Sequence, residues 1–316
     1  MAPLTHPRRN LVLGTRGSQL AVHQSEWVRD RLQELAPGVS ITLRRIQTSG
    51  DKIVDVPLAK VGGKGLFVKE IEEALLSGEI DLAVHSMKDV PAELQPGLAL
   101  LAVPQREDPR DALVSREARG FAELPRHAKI GTSSLRRQAQ LLKARPDLSI
   151  TTLRGNLDTR LRKLREGQFD AIVLAAAGLR RLGWDHHITE YLDPDICLPA
   201  IGQGALGIEG RQDDEFLRGL LRGLDHEETR MTVLAERALL QRLQGGCQVP
   251  IAAHATLRGA EMRVEGLVAS LDGRDVIREH LQGASGDPES LGVHLAERLL
   301  ARGGDKILES IYGRAL

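Results

Sequence analysis

Five short runs of the sequence hold residue types that could do chemistry. In His85-Ser86-Met87-Lys88-Asp89-Val90-Pro91 an ammonium stands beside a carboxylate, just after the apolar run Ile80 to Val84. That run reads as a buried strand, and ligands of open α/β sheets bind at the carboxyl ends of strands. Lys88 could hold a carboxylate there and Asp89 could face a cationic intermediate; a hydrogen-bonded turn before Pro91 is the plain alternative. Gly131-Thr132-Ser133-Ser134-Leu135-Arg136-Arg137 offers hydroxyl caps and free N–H groups at a helix start, with two arginines in its first turn. Cations there oppose the helix dipole by roughly a few tenths of a kcal/mol, which a bound anion would offset. A mere capping sequence would look the same.

Leu153-Arg154-Gly155-Asn156, followed by Arg160, and Arg180-Arg181 after the run Ala171 to Leu174 repeat the arrangement of arginine beyond a strand end. Three such ends in one lobe argue for a polyanionic ligand, and Arg16 with Ser18, after the first strand, extends the set. Gly62-Gly63-Lys64-Gly65, preceded by Lys60, could present N–H groups to an anion. It lacks the Ser or Thr of a P-loop and reads equally as a surface loop. Cys247, in Gly245-Gly246-Cys247-Gln248-Val249-Pro250, is open enough for a nucleophile or an attachment point, although burial is the commoner fate of a lone cysteine. Cys197, between Ile196 and Leu198, reads as the inert kind. The ten histidines show no paired ligand spacing, so no metal is expected.

Composition narrows the function classes. The 316 residues carry 43 basic and 43 acidic side chains and only 3% aromatics, a poor endowment for binding nucleic acid. Of the basic residues 34 are Arg and 9 Lys. Nucleotide bias in the gene would give that ratio, and so would a need for forked donors to carboxylates or phosphates. No apolar run approaches the roughly 20 residues that span a bilayer. Met1 to Asn10 shows no apolar export segment, and two cysteines suit a reducing compartment, so a cytoplasmic protein is expected.

These residues must be held by elements that alternate between strand-like and helix-like from residue 11 to about residue 210, the mark of a parallel α/β sheet. Leu11 to Gly14, Val39 to Leu43, Ile80 to Val84, Leu98 to Val103, Lys129-Ile130, Leu148 to Leu153 and Ala171 to Leu174 read as strands. Apolar stripes at Leu20 to Leu35, Leu66 to Leu75, Leu135 to Ala144 and Leu157 to Arg165 read as helices. Pro104 to Asp111 and Leu198 to Gly204 read as two crossovers between lobes. After a long helix, Glu227 to Leu243, three strand-like runs (Ile251 to Leu257, Met262 to Ala269, Val276 to Leu281) and a closing helix, Leu291 to Leu300, suggest a small α+β domain. The expected division is 1–104, 105–198, a return to the first domain over 199–222, and 223–316.

The runs GTRGSQLA, DVPLAKVGGKGLFVKE, DLAVHSMKDVP, REDPRDA, GTSSLRRQ, LRGNLDTRL, LPAIGQGALGIE and LQGGCQVPIAAHA resemble, in order and spacing, the hydroxymethylbilane synthase (porphobilinogen deaminase) family from Gly14 to about Ala255. The resemblance implies two lobes like type II periplasmic binding proteins around a cleft, plus the small third domain. It implies a transferase that condenses four porphobilinogen molecules, on a dipyrromethane cofactor held by Cys247 as a thioether, into a linear tetrapyrrole. Asp89 is implied as the catalytic carboxylate, with Lys88 beside it. Cofactor-binding residues are implied as Ser18, Lys88, Thr132, Ser133, Ser134, Arg136, Arg137, Arg154 and Gly155. Substrate-binding residues are implied as Arg16, Ser18, Gln24, Lys60, Lys64, Phe67, Arg154, Arg160, Arg181 and Gln203, in a monomer. An exported solute receptor or the effector domain of a transcription regulator would share the cleft, but neither accounts for a cysteine in a Gly-Gly loop.

Overall fold

The computed structural model describes residues 10–52, 65–245 and 249–313. Thirteen strands among them form three sheets. The first sheet holds β1 (Asn10–Thr15), β2 (Ser40–Arg45), β3 (Leu82–Ser86), β4 (Leu98–Ala102) and β10 (Leu206–Arg211) in the order β2-β1-β3-β10-β4. The second holds β5 (Asp111–Ser115), β6 (Lys129–Gly131), β7 (Ser149–Thr151), β8 (Ala171–Ala175) and β9 (Glu190–Tyr191) in the order β7-β6-β8-β5-β9. The matching orders, with the chain crossing twice between sheets, make these two lobes of type II periplasmic-binding-protein topology.

The purely parallel sheet expected from the sequence is corrected in both lobes. Strand β10 runs antiparallel to β3 and β4, and β5 runs antiparallel to β8 and β9. These two strands are the ones the chain inserts just after each crossover. Asp111 to Ser115 was expected to begin in a crossover and is instead a strand buried along almost its whole length. A short strand buried on both faces shows no alternation for a sequence reading to find.

Capping and apolar stripes explain the helices. In α1 (Gln19–Leu35) the Ser18 hydroxyl accepts from Ala21 N at 3.3 Å, and Val28 and Leu32 sink against Leu11, Leu13 and Ile208. The remaining helices are α2 (Ser49–Lys52), α3 (Lys69–Leu76), α4 (Leu135–Ala144), α5 (Leu157–Arg165), α6 (Ala176–Arg181), α7 (Glu215–Leu221), α8 (Glu227–Arg242), α9 (Pro288–Leu299) and α10 (Asp305–Tyr312). The second lobe closes over Leu113, Ile130, Leu141 and Val173. The third unit is the antiparallel meander β11 (Ile251–Arg258), β12 (Glu261–Ala269), β13 (Val276–Ala284), with Leu239 of α8 and Leu295 and Leu299 of α9 in its core. Fully burying each such leucine contributes about 1.5–3 kcal/mol. The expected single closing helix is two: the chain breaks at Gly303 (φ 103) and resumes as α10.

The two crossovers are laced together. Glu107 N donates to Gly204 O at 3.1 Å, Arg106 Nε to Gln203 O at 2.8 Å, and Gln203 Nε2 to Pro109 O at 2.7 Å. Gly204 sits at φ 89, and a Cβ there would lie 2.3 Å from Glu107 O, so the segments close up only around a glycine. Buried Glu236 of α8 clamps them to the third unit: it accepts from Arg106 Nη1 at 2.6 Å, Gly202 N at 2.6 Å and Ala255 N at 2.8 Å. Burial alone would raise that carboxyl; Arg106 and His254 overcome it and hold it at about 2.

Candidate functional site

A cavity of about 920 Å³ opens between the lobes, lined by the ends of β1, β2, β3 and β8, the starts of α1 and α5, and the second crossover. Eight basic side chains reach its wall (Arg16, Arg45, Lys88, Arg137, Arg154, Arg160, Lys163 and Arg181) against three acidic ones (Asp51, Asp89 and Asp158). A chain with no net charge therefore concentrates positive charge in one cleft. Strand ends give this placement, because each βα turn leaves its side chains beyond the sheet's carboxyl edge.

Strand β3 ends in the single 3₁₀ turn Met87–Asp89. Met87 is buried and anchors the turn, its N–H donating to Ala205 O at 3.0 Å. Lys88 and Asp89 are left on the cavity wall. Among the described residues the Asp89 side chain makes no hydrogen bond or ion pair. Lys88 borders the cavity yet is enclosed by protein: burial, with Arg137 and Arg136 nearby, pulls its ammonium down to about 8, against Asp89 and Asp111.

The arginines fall into two kinds. Arg136 and Arg137 of α4 both reach buried Asp111. Arg136 Nη1 lies 2.7 Å from Asp111 Oδ2 and also donates to Leu198 O at 2.6 Å. Arg137 donates twice to Asp111 Oδ1, at 3.0 and 2.7 Å, and to Val173 O at 2.8 Å. Burial alone would raise the Asp111 carboxyl; the two guanidiniums overcome it and hold it well below the carboxylate range. Arg154, Arg160 and Arg181 bond to no carboxylate among the described residues. Arg160 Nε donates to Gly155 O at 2.8 Å and Arg181 Nη2 to Gly204 O at 2.7 Å, which aims each along the cavity wall. Arg154 Nη1 is buried with no acceptor among the described residues. Burial, with Arg137 and Arg154 adding to it and Asp89 opposing, lowers Arg160 to about 10, and burial lowers Arg181 to about 10 against Glu107.

The residues implied from sequence divide accordingly. Arg16, Ser18, Gln24, Phe67, Lys88, Asp89, Ser133, Arg137, Arg154, Gly155, Arg160 and Arg181 meet in the cavity wall. Arg16 is ion-paired with Asp51 and stacks 4.2 Å over the Phe67 ring. Ser133 Oγ donates to Leu153 O at 2.5 Å. Four of the implied residues, Arg136, Gln203, Thr132 and Ser134, do not line the cavity wall and bond within the protein instead. Arg136 is engaged by Asp111; Gln203 Nε2 bonds Asp111 Oδ1 at 3.0 Å and Pro109 O. Thr132 is buried and accepts from Ser134 N at 3.1 Å, and Ser134 caps α4 by accepting from Arg137 N at 3.4 Å. Lys60, Lys64 and Cys247 lie outside the described residues. Cys197 is fully buried, and burial with Asp111 beside it pushes its thiol up to about 12, as the inert reading expects. The sequence reading missed Arg45, at the end of β2, and Lys163, one turn beyond Arg160 on α5; strand-end position and helical spacing were the signals available.

Fold and site together define a two-lobed α/β binding cleft whose wall sets the Asp89 carboxylate among forked cations. A family model described as "Porphobilinogen deaminase, dipyromethane cofactor binding domain" matches residues 11–219. A second, "Porphobilinogen deaminase, C-terminal domain", matches residues 230–301. Proteins named porphobilinogen deaminase are similar along nearly the whole chain. That of Pelobacter propionicus is 58% identical, covering 98% of this chain and 100% of that protein. That of Syntrophotalea carbinolica is 59% identical, covering 95% and 96%. A solved TRAP periplasmic solute binding protein from Desulfovibrio salexigens covers 70% of this chain and 73% of that one at TM-score 0.42 and 12% identity, a loose likeness with no bearing on function. The chain belongs to the porphobilinogen deaminase family.

Proposed function

We propose that this chain condenses four porphobilinogen molecules head to tail, releasing four molecules of ammonia, and that hydrolysis frees the linear tetrapyrrole hydroxymethylbilane. The observation that carries this reading is the cationic cavity built around an Asp89 carboxylate that accepts no hydrogen bond among the described residues. Each pyrrole of such a product bears an acetate and a propionate, so every unit added brings two more carboxylates to be matched by forked donors.

The residues present fit a dipyrromethane group. Its carboxylates need fixed donors, and the buried Nη1 of Arg154, without an acceptor among the described residues, is one, beside Arg160, Lys88 and the hydroxyl of Ser18. We assign its attachment to Cys247 through a thioether, since a thiolate is the soft nucleophile able to form a stable bond to a pyrrolic methylene carbon. When bound, the group supplies the pyrrole carbon from which the product is extended. The chain's own residues do the rest. Arg16 on Phe67, with Arg181, holds the carboxylates of an incoming porphobilinogen. As its aminomethyl C–N bond breaks and ammonia leaves, positive charge spreads onto the pyrrole nitrogen, and the Asp89 carboxylate is the anion placed to meet it. With no donor on it among the described residues, that carboxylate is open to assist proton transfer.

We further propose the division 1–104, 105–198, 199–222 and 223–316, supported by one sheet for each unit. A monomer working in the cytoplasm suits an enzyme of this kind; among the described residues no helix is long and apolar enough to cross a membrane.

Intact-mass spectrometry under denaturing conditions tests the reading. With porphobilinogen added, the parent chain exceeds its sequence mass by a dipyrromethane, and further species appear at one-pyrrole steps. Cys247→Ser loses every increment and Cys197→Ser keeps them. A fully active chain at its bare sequence mass would overturn the covalent mechanism.

A further inference from the structure

One stripe of α8 runs along the chain that follows the catalytic turn. Val233 shares an apolar cluster with Met87 and Val90. One turn further, the Arg237 guanidinium donates from Nη2 to Pro91 O at 2.7 Å and Ala92 O at 2.9 Å, and from Nη1 to Val90 O at 3.5 Å. Another turn on, Gln241 Nε2 donates to Glu93 Oε1 at 3.3 Å. Spacing of four residues sets all three on one helix face.

The carbonyls Arg237 holds need a donor from elsewhere. Val90 to Gln95 belongs to no strand or helix, and Pro91 has no N–H to pair with a neighbour. The turn before it is thinly supported, by Met87 N to Ala205 O at 3.0 Å and Val90 N to Met87 O at 3.2 Å. Asp89 is thus fixed upstream by β3 on β10 and downstream by Arg237. That arginine is itself oddly placed for a purely stabilising residue. It is mostly enclosed, and burial pulls it below the ordinary arginine value with Glu209 opposing, yet it forms no ion pair among the described residues. A cation enclosed without a partner is a poor source of stability. What its fork does provide is a defined position for three successive carbonyls.

Helix α8 ends at Arg242, five residues before Cys247 in the sequence. Its one face therefore packs on the Met87–Asp89 turn and on the chain that follows it. We propose that Arg237 is a positioning residue for the deamination, acting through the main chain of Val90–Ala92 to hold the Asp89 carboxylate in place on the cavity wall. The contact stands on the geometry alone; its role in turnover rests on the function proposed above.

The test compares the parent chain with Arg237→Met and Arg237→Lys, reading kcat and KM for porphobilinogen, intact mass, and amide hydrogen exchange across Met87–Glu93. Arg237→Met is expected to lower kcat about tenfold or more and leave KM within about twofold, since a small misplacement of a reacting group falls on the chemical step. The dipyrromethane increment stays, and exchange across Met87–Glu93 quickens. Arg237→Lys, one donor in place of a fork, falls between the two in both readings, and it decides the matter if Arg237→Met does not fold. Unchanged kcat, a loss carried by KM, or unchanged exchange overturns the role. A parent chain that does not turn over porphobilinogen overturns the assigned reaction, and this role with it; a working parent with indifferent variants overturns Arg237 alone.

Discussion

Asp89 and Asp111 stand near the same arginine-rich wall and meet it in opposite ways. Asp111 is fully buried and takes hydrogen bonds from Arg136, Arg137, Gln203 and the Cys197 thiol. Asp89 faces the cavity and takes none among the described residues. The arginines divide along the same line. Arg136 and Arg137 close on Asp111 within the second lobe, and Arg154, Arg160 and Arg181 meet no carboxylate among the described residues. The difference teaches that arginine count, or position at a strand end, does not make a ligand site. For Arg154, Arg160 and Arg181 the distinguishing feature is that no described acid closes the pair.

The comparison breaks most visibly at its structural end. Asp111→Ala leaves two buried guanidiniums without their anion, and breaking a buried pair from one side costs about 3–5 kcal/mol. Urea unfolding of the variant should show that loss, and a change below about 0.5 kcal/mol, the range of ordinary surface substitutions, would remove Asp111 from its structural role. Asp89→Asn is the mirror experiment. Its side chain accepts no hydrogen bond among the described residues, so unfolding stability should stay within about 0.5 kcal/mol of the parent. Turnover should fall about a hundredfold, the loss typical when one group aimed at developing charge is removed. Near-normal turnover would take Asp89 out of the reaction, and a large stability loss would erase the contrast with Asp111.

Much of this contrast could be read in the sequence, and the unread part has a physical cause. The strand-end runs around Lys88-Asp89, Arg154 and Arg181 announced themselves by type and spacing, and the structure gathers them on one cavity wall. The alternation of elements gave the lobes, and long amphipathic patterns gave α1 and α8 nearly to their ends. Arg136 and Arg137 were indistinguishable from ligand-binding arginines because their partner Asp111 lies 25 and 26 residues away, on a strand hidden by burial on both faces. Glu236 and Arg237 were invisible for the same reason: a helix pattern shows which face is apolar, but not that two adjacent polar residues reach the crossover segments and the catalytic turn.

Lys88 offers the finest cut between closed and open charges. Burial disfavours its ammonium, and Arg137 and Arg136 add to that, so it titrates at about 8 instead of 10.5. A ligand carboxylate beside it favours the charged form and raises that value again. Above about 8 the empty site has lost the proton that the filled site keeps, so binding takes up a proton in that window and affinity falls as pH rises. With one proton coupled, affinity for porphobilinogen should drop about tenfold between pH 7 and pH 9, a smaller effect than either substitution above. Calorimetric titration of Asp89→Asn, in buffers of different ionisation enthalpy, separates this uptake from turnover, with the window set lower than in the parent because the anion that supports the ammonium is gone. Replacing Lys88 by Met in that background should flatten the dependence and Lys88→Arg should move it out of range, because a guanidinium stays charged throughout. Full pH dependence in the Lys88→Met protein would mean that another group carries the proton, and Lys88 would then belong with the closed charges.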